Sequence, residues 1–364
     1  MVNDIYSNCM ELTSQFIMCG NCFRVDMYKG CDFGCIYCFV TNNSLAQRKS
    51  WKIANVKTVR GWFTEALDIN MTHTLKHELL NRRVPLQLGG MSDPFQYREW
   101  EHGATKELLS ISKEYNYPIS ISTKVGDLPD DYFEILDPKI HAFQVSLIGL
   151  SENYIKKFEL NTSTPQERIA FIRKLKEKGF WVSLRLQPLI DLDEGIALIK
   201  EVQDSIDFCT VEHLKVAAAG TERHKTFKLL PEYVERYNLT FVRRGSELEF
   251  DVNIKKKNIE LIKSETNVKI GCGDNDLHLL SDSLNCCGVD LMPEAFKNWW
   301  KCNSMYIMMT GDWDTWCPRN SVTHSLFSTS RIPGETSPIP YVKRYCDRMY
   351  NETSTINGCI GQKS

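Results

Sequence analysis

The stretch Gly30-Cys31-Asp32-Phe33-Gly34-Cys35-Ile36-Tyr37-Cys38-Phe39 sets three cysteines at the spacing C-x3-C-x2-C, with an aromatic directly before the third. Three thiolates on one short loop can hold three corners of a cubane iron-sulfur cluster, whereas the common four-thiolate arrangement fills every iron. One iron is then left open. A structural zinc site shows two C-x2-4-C or H-x3-5-H pairs, and this loop offers an uneven three with no fourth ligand at zinc-finger spacing. A disulfide framework is not expected either. The chain opens without a charged n-region and apolar h-region, and its 14 cysteines then read as those of a metal-handling protein in a reducing cytosol.

At 364 residues and 42% hydrophobic, the chain can bury a full-sized core and has room for one large domain plus an extension. No apolar run reaches membrane-spanning length. A net charge of −2 gives no global basic field to draw it to nucleic acid. The basic clusters Arg82-Arg83, Arg243-Arg244 and Lys255-Lys256-Lys257 are short enough to be ordinary solvated faces.

Short apolar runs alternate with longer amphipathic ones over the first 220 residues. Strands are predicted at Phe23 to Met27, Pro85 to Leu88, Ile119 to Ser122, Ala142 to Ile148, Trp181 to Leu186 and His213 to Val216. Helices are predicted at Cys38 to Ala46, Val59 to Leu80, Gly103 to Tyr115, Asp130 to Leu136, Pro165 to Lys178 and Glu194 to Ser205. Pro165 behind Thr164 is a helix start, and Gly179 a helix stop. Such alternation argues parallel strands with helical crossovers, an α/β fold. Six units fit an open, partial (β/α)6 barrel of the TIM type, with ligands at the C-terminal ends of the strands. The expected division is a barrel over 1–240 and a Cys-rich C-terminal extension over 241–364 that covers the barrel mouth.

The cysteine loop follows the first predicted strand and precedes the first predicted helix. The second strand runs into Gly89-Gly90-Met91-Ser92-Asp93-Pro94, where two glycines allow close backbone approach to a ligand, although a tight turn alone would also want them. The third ends in Ser122-Thr123-Lys124, and the fourth carries Gln144 and Ser146. Arg185 and Gln187, two apart on a strand, share one face.

The C-x3-C-x2-C loop with Tyr37 resembles the signature of the radical S-adenosylmethionine (SAM) superfamily. The segments Gly90-x-Ser92-Asp93-Pro94-Phe95-Gln96, Ser122-Thr123-Lys124, Phe158-Glu159-Leu160-Asn161-Thr162-Ser163 with Glu167-Arg168-Ile169, and Gln187-Pro188-Leu189-Ile190 are similar to its spore photoproduct lyase branch, often labelled DNA repair photolyase-like, over about residues 20 to 220. The resemblance implies a 4Fe-4S cluster on Cys31, Cys35 and Cys38, whose open iron chelates SAM, and reductive cleavage of SAM to a 5'-deoxyadenosyl radical. It implies SAM contacts from Gly89, Gly90, Lys124, Ser146, Tyr37 and Gln187, polar active-site roles for Ser92, Asp93 and Arg185, and an ion pair between Glu159 and Arg168. A flavodoxin or ferredoxin would be the reductant. The branch tilts the substrate toward a nucleic acid or nucleotide, and the acidic balance tilts it back toward a peptide or small molecule. A cluster-bearing binding or sensing module is the alternative outside the enzymes.

The sequence also departs from that branch. Spore photoproduct lyases carry a cysteine just before the Ser/Thr-Asp pair, which returns a hydrogen atom to the product radical, and here Met91 stands in that place. A thioether has no S–H to give, so photoproduct repair would need another donor.

Beyond residue 240 a second cysteine group appears, from which Cys272, Cys286 (or its neighbour Cys287), Cys302 and Cys317 are the candidate ligands of an auxiliary iron-sulfur cluster. Buried core thiols are the competing reading. Cys19-Gly20-Asn21-Cys22 offers two further thiols, short of a full site. The aromatic group Trp299, Trp300, Tyr306, Trp313 and Trp316 is read as core area rather than a base-stacking platform, and the segment from Ser328 as an extended tail.

Overall fold

The computed structural model describes residues 5–13, 19–40, 51–71, 74–81, 83–217, 241–244, 247–274, 276–283 and 285–297. Cys302, Cys317, the aromatic group at 299–316, the tail from 328 and most of the helix expected at 38–46 lie outside these residues. An eight-stranded sheet organises the described chain. Its parallel strands are β1 (Phe23–Val25), β2 (Leu86–Leu88), β3 (Ile119–Thr123), β4 (His141–Ser146), β5 (Trp181–Leu189), β6 (Phe208–His213) and β7 (Ile270–Cys272). They stand side by side in chain order, and Met10–Leu12 closes the β1 edge as an antiparallel strand. Helices fill the crossovers, the longest being Ala104–Glu114, Pro165–Glu177, Leu192–Val202 and Val252–Glu265. Strand then helix, repeated with these seven strands parallel, is the α/β arrangement the alternation predicts.

Register gives the sheet two unlike faces. Ile121, Phe143 and Val182 are directly aligned across β3, β4 and β5, as are Val145, Leu184, Cys209 and Ile270 across β4 to β7. These side chains are fully buried on the helix side, where Phe143 meets the rings of Phe171 and Phe180 edge to face. Burying each such aromatic stabilises the fold by roughly 2–3 kcal/mol. The alternate residues form the inner face, and there Ser122, Gln144 and Ser183 are aligned, then Ser146, Arg185 and Thr210. An apolar outer face and a polar inner one follow from the period-2 pattern of the strands.

The structure corrects three expected elements. The sixth parallel strand is Phe208–His213 rather than His213–Val216, and Lys215–Ala217 instead pairs antiparallel with Glu247–Phe250 in a separate three-stranded sheet. Phe208-Cys209-Thr210-Val211 is buried on both faces, so it lacks the apolar-polar alternation that marks a half-buried strand. The single helix predicted over 59–80 is Val56–Phe63, a π turn at Thr64–Asp68 and a separate Leu75–Asn81, with Asn70 at a left-handed φ of 56° between them. Finally, Ile270–Cys272, from beyond residue 240, adds a seventh parallel strand.

Pro165–Glu177 starts as its sequence implies. Thr164 accepts from the Glu167 N–H and the Glu167 carboxylate accepts from the Thr164 N–H, which completes a capping box with Pro165 in the first turn. This helix carries Arg168 into the interior, so its start fixes a site residue as well as a helix. Replacing Thr164 with Ala is expected to lower stability by about 1 kcal/mol in urea unfolding, and Thr164→Ser by much less.

Candidate active site at the C-terminal ends of the strands

The cysteine loop leaves the C-terminal end of β1 and turns at Gly30 and Gly34, both with left-handed φ (88° and 64°). Backbone and side-chain bonds from two later segments hold it. Gln96 accepts from the Asp32 N–H at 3.0 Å and donates to the Gly30 carbonyl at 3.2 Å. Asn161 donates through its side chain to the Asp32 carbonyl at 2.9 Å and through its backbone to the Phe33 carbonyl at 3.1 Å. The Ile36 N–H reaches the Phe158 carbonyl at 2.9 Å. Gln96, Phe158 and Asn161 share the task of pinning the loop, which no local spacing in the sequence signals. Only a fold that returns residues 96 and 161 to residue 32 reveals it.

Cys31, Cys35 and Cys38 are partly exposed and form no disulfide. Cys31 Sγ accepts from the N–H groups of Phe33 and Asp93, the kind of donors that sulfur bound to an iron cluster uses. Burial pushes the Cys31 thiol up to about 12, and the Asp93 carboxylate adds to this. Burial raises Cys35 as well, against the opposing pull of Lys124. Both therefore remain protonated at neutral pH until a metal centre displaces the protons. Among the described residues, no three Cys, His, Asp or Glu side chains converge on a point where one metal ion could be held. A cubane assigns each cysteine to a different iron, so three separated thiols on one loop fit the cluster and not a mononuclear zinc.

Beside the thiols lies a buried charge network. Glu159 Oε2 pairs with Arg168 Nη1 at 2.7 Å, with both side chains fully buried, and Glu159 Oε1 pairs with Lys124 Nζ at 3.1 Å. The Tyr37 hydroxyl donates to the same Glu159 oxygen. Arg168 donates onward to the Ser146 carbonyl at 2.8 Å and to Thr162 Oγ1 at 3.2 Å. Burial alone would raise the Glu159 carboxyl, but Arg168, Lys124 and the Tyr37 hydroxyl hold it down at about 2. The Glu159–Arg168 pair is therefore an interior anchor. It joins the cysteine loop, through Tyr37, to the ends of β3 and β4. Lys124 also stands over the Tyr37 ring, 5.5 Å from its centroid.

After β2, Gly89 takes φ +89°, and a Cβ there would lie 2.3 Å from the Ser122 carbonyl oxygen, so the turn itself demands glycine. A Cβ on Gly90 would meet nothing closer than 3.4 Å. Asp26 clamps this turn by accepting from the N–H groups of Met91 at 2.8 Å and Ser92 at 3.3 Å. The Ser92 hydroxyl donates to the Tyr28 carbonyl at 2.6 Å, and Ser92 is buried. Asp93 accepts from the Phe95 N–H, from Thr123 Oγ1 at 2.9 Å and from the Lys124 N–H at 2.7 Å. Burial raises its carboxyl to about 6 against those donors. Ser92 and Asp93 thus fasten the β2 turn to the cysteine loop and to Lys124.

Arg185 lies on the inner face, bonded to Ser122 Oγ at 3.2 Å and Gln144 Oε1 at 3.4 Å, and its Nε donates to Gln187. The structure brings Lys124, Ser146, Arg185 and Gln187 to the inner or C-terminal side of the sheet, as the strand pattern predicts. Of the auxiliary candidates, Cys272, Cys286 and Cys287 lie among the described residues, and Cys302 and Cys317 do not. Cys272 is buried on the outer face of β7, whereas Gly271, its inward neighbour, faces the Cys286 carbonyl.

Residues 25–195 match the family model described as the Radical SAM superfamily. That segment of the chain is a radical SAM domain, and the superfamily implies a 4Fe-4S cluster and SAM. An uncharacterized protein of Mycobacterium tuberculosis is 25% identical over 241 residues, which cover 62% of this chain and 68% of that protein. Among solved structures, a spore photoproduct lyase variant complexed with dinucleoside spore photoproduct shares the fold, with a TM-score of 0.50 and 12% identity over 70% of this chain and 77% of that one. Streptococcus suis SuiB bound to S-adenosylmethionine aligns at a TM-score of 0.46 and 16% identity over 69% and 50% of the two chains.

Glu159→Gln would leave Arg168 buried without its counter-charge, and is expected to cost about 3–5 kcal/mol in urea unfolding. Because the Glu159 carboxyl sits lower in the fold than in the unfolded chain, its contribution is complete above the unfolded value of about 4.3 and fades as pH falls toward 2. An acid-unfolding midpoint unchanged in the Gln variant would contradict this assignment.

Proposed function

We propose that the chain is a radical SAM enzyme acting on a nucleic acid or nucleotide. Three cysteines outside any disulfide on one pinned loop, with the Lys124 ammonium beside them, is the observation that carries this reading. A bound 4Fe-4S cluster with SAM supplies one-electron cleavage of SAM to methionine and a 5'-deoxyadenosyl radical that abstracts hydrogen from substrate. The remaining work falls to the chain. Cys31, Cys35 and Cys38 hold the cluster. Gly90, where a Cβ would have room, lets the backbone approach the amino end of SAM, with Gly89 shaping the turn. Lys124 and Ser146 orient the carboxylate or ribose, and Tyr37, fixed by Glu159, packs beside them. Gln187 extends the SAM contacts, and Arg185 faces the substrate from the inner wall. Ser92 and Asp93 act by holding the β2 turn and Lys124 in place.

The substrate assignment rests on the branch resemblance and on the shared fold. A peptide or small molecule is the second reading, favoured by the net charge of −2, which gives no field to attract a polyanion. The proposal divides the chain into a barrel over 1–240 and a Cys-rich extension over 241–364, stitched to the barrel through β7 and covering its mouth to shield a radical from solvent. Flavodoxin or ferredoxin is the proposed reductant and the cytoplasm the proposed location. Among the described residues, no helix is long and apolar enough to cross a membrane.

Anaerobic reconstitution is expected to load about four irons per chain, and dithionite with SAM to release 5'-deoxyadenosine. Cys31→Ala, Cys35→Ala and Cys38→Ala should each abolish that release. A cluster-loaded protein that releases none would support a binding or sensing module instead. Deuterium transfer into 5'-deoxyadenosine from labelled DNA, RNA, nucleotide or peptide pools then separates the substrate classes.

A further inference from the structure

A second group of thiols lies away from the cysteine loop. Cys19 precedes β1 and Cys287 lies in the turn after β7, yet their side chains hydrogen-bond to each other. Cys286 Sγ is 3.6 Å from Cys287 Sγ. The surrounding packing holds this contact in place. Asn285 Oδ1 accepts from the N–H groups of Cys287 at 3.0 Å and Val289 at 3.3 Å. Gly20 packs so closely on that side chain that a Cβ would fall 2.3 Å from the same oxygen. From the sheet, Thr210 Oγ1 donates to the Cys286 carbonyl at 2.8 Å, and Gly271 leaves room for that carbonyl where a Cβ would sit 2.3 Å away. Thr210 and Gly271 face inward on adjacent strands, so the turn carrying Cys286 and Cys287 lies against the interior of the barrel.

We propose that Cys19 and Cys287 form a reversible disulfide across the barrel interior, with Cys286 as a third thiol that exchanges into it. Hydrogen peroxide, as the oxidant, converts one thiol to a sulfenic acid and leaves one water. The second thiol attacks that sulfur, the S–S bond forms and a second water departs, so two thiols and one peroxide give one disulfide and two waters. A dithiol reductant reverses the bond by exchange. The hydrogen bond with Cys287 and burial push the Cys19 thiol up, which keeps the resting pair reduced, while the Arg185 charge pulls toward thiolate at both sulfurs. Arg185 is also bonded to Ser122 and Gln144.

The test uses the full-length, cluster-loaded protein under anaerobic conditions. Diamide removes two hydrogens from a thiol pair as its hydrazine and serves as the oxidant. Remaining thiols are then alkylated, and non-reducing peptide mass spectrometry with fragmentation locates the bond. The expected result is a Cys19–Cys287 cross-link in most molecules, undone by dithiothreitol, and a Cys19–Cys286 cross-link in Cys287→Ser. Cys209 and Cys272, an equally buried neighbouring pair, should remain unlinked and serve as the internal control. Alkylated Cys19 after oxidation, a Cys19–Cys22 bond, equal linkage of Cys209 to Cys272, or metal bound by Cys19, Cys286 and Cys287 would each overturn the proposal. Cys19→Ser supplies a second check: it should prevent the cross-link and leave the circular dichroism spectrum unchanged.

Discussion

The buried carboxylate of Glu159 is the contact on which the site geometry depends. Arg168, Lys124 and Tyr37 come from a helix, a strand end and the cysteine loop, and each reaches the same carboxylate. A buried cation, a partly buried one and a buried anion would be costly to desolvate singly, so each member holds the others in position. Tyr37 stands directly before Cys38, and the network therefore fixes the orientation of the cysteine loop as firmly as the loop's own backbone bonds do. A site proposed to present three thiols to one cluster gains from such preorganisation, since the loop has little regular secondary structure of its own to hold it.

The sheet explains why so many polar groups can be buried. Strands covered on both sides normally read as continuous apolar runs. Here only the helix-facing side does so, and the inner side is lined by Ser120, Ser122, Gln144, Ser183, Arg185 and Thr210. Gln144 donates to Ser120 at 3.0 Å and accepts from Ser122 and Arg185, so the inner wall satisfies much of its own hydrogen bonding. The result is a lined interior suited to a polar ligand, in contrast to the apolar layers that fill a closed TIM barrel.

Eight of the ten described cysteines divide by surroundings more than by spacing. Cys31, Cys35 and Cys38 are partly exposed on a pinned loop, Cys209 and Cys272 are fully buried, and Cys19, Cys286 and Cys287 meet, with Cys19 and Cys287 feeling the charge of Arg185. One residue type thus serves three environments. Cys272 and Cys286 are near in sequence, yet β7 alternates its side chains, which puts Cys272 on one face and the contact with Cys286 on the other.

By itself the sequence determined whatever depends on local spacing. The C-x3-C-x2-C loop, the order of strands and helices, the capping box at Thr164 and the shared face of Arg185 and Gln187 all follow from a few neighbouring residues and a period of 2 or 3.6. It could not settle β6, because a strand buried on both faces loses its alternation, nor the break within 59–80, because a π turn keeps the helical pattern running. Tertiary structure decided which distant residues meet. Gln96 and Asn161 reach the loop at Asp32, Glu159 sits beneath Tyr37, and Cys19 finds Cys287. Side-chain periodicity carries no information about contacts across a hundred residues. Those are set by how successive strands and helices stack, and only the packed sheet supplies that geometry.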